Sequence, residues 1–175
     1  MKATYFAVPS LVLAACASQP VDSSIPATLV PADGKVVESL AARGVQIYEC
    51  KANAAGGQAW AFVAPEAELF DAQGRQVGKH YAGPHWEALD GSKIVGTVKT
   101  RSDAPDASAI PWLLLDAKSV GANGRFSKVT SVQRINTVGG LAPATQPCDA
   151  KSLGVRSRVS YTADYVLLTP SIAAY

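Results

Sequence analysis

The amino-acid sequence predicts an all-β protein, a single antiparallel β-sandwich or β-barrel-like domain built from hairpin meanders. Three observations carry this expectation. Short runs rich in Val, Ile, Tyr and Phe recur between turns that contain Gly, Asp or Asn. No long stretches of helical period alternate with them, which argues against a parallel sheet. The C-terminal segment alternates cleanly, with Val155, Val159, Tyr161, Ala163, Tyr165 and Leu167 on one parity and Arg156, Arg158, Ser160, Thr162 and Asp164 on the other. Such a strand packs one face and turns the other to solvent or a pocket.

The elements follow in order. Residues 44–50 (GVQIYEC) place β-formers at Val45, Ile47 and Tyr48, and residues 59–63 (AWAFV) come after a Gly56-Gly57 turn. Residues 66–70 are expected to meet 75–81 across Asp71-Ala72-Gln73-Gly74, and 85–89 to meet 92–100 across Asp90-Gly91. A further hairpin joins 110–117 to 125–135 around Asn123-Gly124. Residues 35–43 (KVVESLAAR) fit a helix and a strand continuing into 45–50 equally well. Residues 101–108 and 139–147 read as loops.

The chain has 175 residues, 48% of them hydrophobic and 17% charged. This suits one domain with a tail and excludes a disordered chain. A formal net charge of +2 without a basic run gives no reason to expect a nucleic-acid partner.

The chain begins MKATYFAVPSLVLAAC, with Lys2 ahead of a short apolar stretch that Pro9 interrupts. That stretch is too short for a permanent membrane span and has the length of a signal peptide. Its end, Leu13-Ala14-Ala15-Cys16, resembles the lipobox of bacterial lipoproteins. The resemblance implies a signal peptide over residues 1–15, lipidation at Cys16 and a membrane partner reached through the lipid. Ala17 then favours the outer membrane, facing the periplasm, in a Gram-negative host. An ordinary secretory signal cleaved near Ala15 or Ala17 is the alternative. Residues 16–34, with Pro20, Pro26 and Pro31 among small and polar residues, read as a tether to a domain over residues 35–175.

With Cys16 set aside, Cys50 and Cys148 are the remaining pair, expected as a disulfide in an oxidising compartment. Two buried thiols are the alternative. Neither cysteine has a second ligand at metal spacing, so no metal is expected.

Several blocks together resemble the family known as domain of unknown function 3455. They are Gly44-Val45-Gln46-Ile47-Tyr48-Glu49-Cys50, His80-Tyr81-Ala82-Gly83-Pro84 with Trp86, and Asp90-Gly91-Ser92. Then come Ala109-Ile110-Pro111-Trp112-Leu113-Leu114, Arg134-Ile135-Asn136-Thr137 with Gly139-Gly140, and Cys148 with Tyr161-Thr162-Ala163-Asp164-Tyr165. The chain departs from the pattern at His85, where threonine is expected, and at its less aromatic terminus. The resemblance implies a secreted or envelope-associated protein and no particular chemistry. A malate-dehydrogenase label borne by some fungal members finds no support, because no strand–GxGxxG–helix unit is present and no cofactor is expected.

Six residues form a candidate pocket: His80, Trp86, Ser92, Arg134, Asn136 and Asp164. His80 and His85 are the only histidines. Serine chemistry through Ser92, His80 and Asp164 lacks a GxSxG elbow. Glycosidase chemistry needs two facing carboxylates, which spacing does not pair here. Arg134 and Asn136 share a strand parity, and with Asp164 they are expected to form a network that locks the sheet or lines a polar pocket with His80. Trp60, Trp86, Trp112, Tyr81, Tyr161 and Tyr165 are candidates for a stacking platform. Of these, Trp112 is expected in the core and Trp86 half-exposed beside the Gly83-Pro84 turn.

The reading that follows is a cell-envelope lipoprotein, a non-catalytic binding or structural β module with a small-molecule or envelope-protein partner. The alternative is a secreted or envelope hydrolase using His80 in a polar cleft. That alternative requires His80 to meet a serine or carboxylate.

Overall fold

Eight strands make one antiparallel sheet whose first and last members also pair, closing a barrel. They are β1 (Gly34–Ala52), β2 (Gln58–Phe70), β3 (Gln76–Tyr81), β4 (His85–Ala88), β5 (Lys93–Ser102), β6 (Trp112–Ser119), β7 (Ser131–Gly139) and β8 (Arg156–Pro170). The computed structural model describes residues 25–171. The expected signal segment, Cys16 and the start of the tether lie outside the described residues. Residues 35–43 are strand, because β1 runs on to pair with β8 from Gly34 to Glu49 and with β2 from Ala41 to Ala52. That overlap closes the sheet and removes its edges.

Inward side chains follow the two-residue period. Leu40 and Ala42 of β1, Leu69 of β2, Leu115 of β6, Val132 of β7, and Tyr161, Ala163, Tyr165 and Leu167 of β8 form one buried cluster. The parity expected for β8 is the one observed. Where β2 was expected as two strands, 59–63 and 66–70, it is one. Val63 bulges out of the pairing between Ile47↔Ala64 and Tyr48↔Phe62, and Pro65 sits opposite Gln46. A bulge beside a proline lets the strand continue despite the missing N–H.

Strand direction alternates, so the loops sort to two ends. At one end lie residues 71–75, 89–92 and 120–130, and this end is plugged. Phe126 and Val129 are buried there, which explains why residues 125–130, expected as strand, leave the sheet. Ser92 Oγ donates to Asp90 Oδ1 at 2.6 Å and accepts from the Phe126 N–H at 3.0 Å. Arg125 donates its N–H to Asp90 Oδ2 at 2.8 Å and pairs with Glu38. These bonds, the Ser92 hydroxyl's foremost, hold the Asp90 carboxyl at a pKa of about 2.

The outer face carries a second, smaller core. Leu29, in a 3-10 turn over Ala27–Leu29, is buried with Trp112, Leu114, Ile135, Val166 and Leu168. Gln133 Nε2 donates to the Leu29 carbonyl at 2.6 Å. The segment expected to be tether through residue 34 is therefore, from Ile25 onward, a strap across β5–β8. Val166 and Leu168, on the outward parity of β8, are apolar because the strap covers them.

Candidate ligand-binding site

The second end, with loops 53–57, 82–84, 103–111 and 140–155, is open. Each residue of the site reaches it through strand parity. His80 follows Gly78 on β3 and pairs across to Trp86 of β4. Arg134 follows Val132 on β7 and lies between Leu113 of β6 and Tyr165 of β8. Gln46 takes the inward position of β1 between Gly44 and Tyr48. Gly96 of β5 makes room for the indole, since a Cβ there would stand 2.8 Å from Trp86 Cζ3.

His80 is 3% exposed and Trp86 1%. Their rings stack at 4.4 Å, and Tyr165 lies 4.8 Å from the imidazole. His80 Nδ1 is 2.8 Å from the His85 carbonyl oxygen. A carbonyl only accepts, so Nδ1 carries the proton and Nε2 presents a lone pair. Burial pulls the His80 pKa down to about 3, the hydrogen bond to His85 opposing it and the positive Arg134 adding to it. The imidazole is thus neutral and serves as a hydrogen-bonding surface.

Arg134 donates through Nε at 3.1 Å and Nη2 at 2.7 Å to the Pro111 carbonyl. No carboxylate pairs with it among the described residues. Burial raises the hydroxyl pKa of Tyr165 against the pull of Arg134, and the Tyr161 and Tyr165 hydroxyls stand 3.3 Å apart.

These groups surround a cavity of about 310 Å³ lined by Gln46, Phe62, His80, Trp86, Leu113 and Arg134 among others. It continues into a mouth cleft of about 470 Å³ that shares Gln46, Phe62, Val98, Leu113 and Arg134 and adds Arg101. The inner space falls in the size range of small-molecule sites and is walled mainly by apolar groups. Two residues of this wall carry buried donors, Gln46 Nε2 and Trp86 Nε1, that have no acceptor among the described residues. Buried polar atoms are almost always paired, so two on residues of one cavity wall stand out, with Trp112 Nε1 in the outer core as a third.

The rim is fastened. Cys50 and Cys148 form the expected disulfide, 98 residues apart in sequence. Tyr48 Oη donates to the Gly140 carbonyl at 2.6 Å, and Trp60 Nε1 donates to the Gln146 carbonyl at 3.0 Å.

Of the six candidate residues, His80, Trp86 and Arg134 come together and three do not. Ser92 lies at the plugged end. Asn136 adopts φ 50° inside a bulge between Ile135 and Val138. It therefore leaves the parity of Arg134 and donates to Asp164 Oδ2 at 2.8 Å on the outer face. The expected Arg134–Asn136–Asp164 network does not form, and neither does a Ser92–His80–Asp164 arrangement. Trp86, expected half-exposed, is instead part of the buried floor, while Trp112 is buried in the outer core. Among the described residues no cluster of three His, Cys, Asp or Glu gathers.

Gln46, Phe62 and Arg101 escaped the sequence reading. One signal was present for Gln46, an amide on the packing parity of GVQIYEC. Phe62 reaches the mouth only because of the Val63 bulge, which has no local sequence mark.

The family model described as "Protein of unknown function (DUF3455)" matches residues 31–169. No curated protein and no solved structure matches the chain.

Proposed function

The chain belongs to the DUF3455 family, and from that premise we propose that it is a cell-envelope lipoprotein whose open barrel end binds a small molecule without transforming it. One observation carries the binding reading. Gln46 Nε2 and Trp86 Nε1 are buried donors without acceptors among the described residues, and the two residues line an apolar-walled cavity. Both atoms are closed to solvent as the barrel stands, so a ligand toward which either side chain turns would relieve about 1–3 kcal/mol of desolvation penalty for that donor.

The address rests on the lipobox-like Leu13-Ala14-Ala15-Cys16 and on a disulfide of the kind that persists in oxidising compartments. Lipid on Cys16 anchors the barrel through residues 17–24. In a Gram-negative host it then sits on the outer membrane, facing the periplasm. The hydrolase reading needs a serine or carboxylate on His80. The one hydrogen-bond partner of its ring among the described residues is the His85 carbonyl.

Two experiments test these halves. Intact mass of the mature protein should show acyl mass that Cys16→Ser abolishes; an identical processed form in both contradicts lipidation. For binding, melting temperature is followed with a panel of small amphiphiles for Cys16→Ser and for Cys16→Ser with Val98→Trp, which fills the mouth. A ligand at a hundred times its Kd stabilises by about 2.7 kcal/mol, a rise of roughly 5–10 °C for a domain of this size. The plugged variant should show none. Equal rises in both would place binding elsewhere.

A further inference from the structure

We infer that the ligand is an organic anion, a carboxylate on an apolar body, held by Arg134 at the junction of cavity and mouth. The inference rests on the binding reading above and names its ligand class.

The charge pattern carries it. The chain has seven arginines. Arg75, Arg125, Arg156 and Arg158 are in ion pairs, and Arg43 lies over the Phe70 ring. The two that remain, Arg101 and Arg134, both line the open end. Among the described residues no Asp or Glu lines either the cavity or the mouth. Arg134 already spends Nε and Nη2 on the Pro111 carbonyl, which fixes the guanidinium plane. Its Nη1 makes no hydrogen bond among the described residues, and the Tyr165 hydroxyl is the other protein group that draws on the guanidinium. Gln46 borders the same two spaces as Arg134 and adds an unpaired amide donor. A carboxylate fits such a donor set because it accepts at both oxygens, and charge-assisted bonds exceed neutral ones in strength.

The rest of the cavity suits an apolar body. Phe62, Val98, Leu113, Pro84 and the stacked His80–Trp86 pair form its walls. His80 is neutral, so it contributes no second positive charge and offers Nε2 to a ligand hydroxyl or N–H. A space of about 310 Å³ corresponds to roughly ten water volumes of ~30 Å³. This admits a medium-chain fatty acid or a single-ring aromatic acid.

The test uses the full chain with Cys16→Ser, titrated calorimetrically with two matched pairs, octanoate against octanol and benzoate against benzyl alcohol. The acid of at least one pair should bind ten-fold or more tightly than its alcohol, and the pair that does so separates a lipid-like from an aromatic ligand. Arg134→Gln, which keeps a donor for Pro111, should weaken the acid by about ten- to a hundred-fold and the alcohol far less. Gln46→Met, a swap that removes a buried unpaired amide, should weaken the acid while raising the melting temperature. Acid and alcohol binding equally, with Arg134→Gln altering neither, overturns the anion assignment and leaves small-molecule binding standing. No binding by any of the four overturns both.

Discussion

His80 shows how a single buried group links the site to pH. Its pKa is about 3 in the folded barrel against 6.5 for an unperturbed imidazole, chiefly through burial. Between those values the unfolded chain binds the proton and the folded chain does not. The stability that His80 contributes as a neutral base is therefore present above pH 6.5 and is lost as pH falls toward 3. The melting temperature should fall more steeply across pH 6.5–4 in the wild type than in His80→Asn, whose amide keeps a donor for the His85 carbonyl. Parallel profiles would show that His80 titrates normally. At this scale half of the six candidate residues, as the barrel places them, lie together in one cavity wall. His80, Trp86 and Arg134 were readable because chemistry-bearing residues are rare in this chain. Asn136 was misread because parity counting assumes an unbroken strand, and a residue at φ 50° changes face without a glycine to announce it.

Two elements shape the barrel's ends, and each supports a measurable expectation. The strap buries Leu29 completely against Trp112 and its neighbours. Leu29→Ala should cost about 2–5 kcal/mol in denaturant unfolding; a loss under 1 kcal/mol would mean the strap is not docked in solution. The Cys50–Cys148 bridge closes a 98-residue separation. Replacing both by serine should cost up to about 4.7 kcal/mol in the chain-entropy account. It should also speed amide exchange in residues 140–155, where Gly154 N–H donates to the Cys50 carbonyl at 2.9 Å. Unchanged exchange there would show that Tyr48 and Trp60 hold the rim alone. The pairing was readable from cysteine arithmetic. The strap was not, since Pro26 and Pro31 mark irregular chain whether it lies free or docked.

Across the whole molecule, all-β character and hairpin order followed from turn chemistry and from alternation in β8. A barrel was one of the two architectures expected, and the choice of it over a sandwich depends on β1 running 19 residues and pairing on both sides, a long-range fact no local window contains. Closure has a functional consequence: the interior is filled at one end by Phe126 and Val129 and left open at the other, where Arg134, Gln46 and Trp86 meet. The strands thus frame a cavity, and the loop residues Ile110, Pro111, Leu141 and Ala142 border its mouth together with strand residues. The claim that the open end is the binding end is tested most directly by amide and side-chain NMR shifts during titration with octanoate and benzoate. The account predicts perturbations at Gln46, Phe62, Val98, Leu113 and Arg134, with Ser92 and Phe126 silent. Shifts centred on Ser92 and Phe126, or none at any concentration, would contradict it.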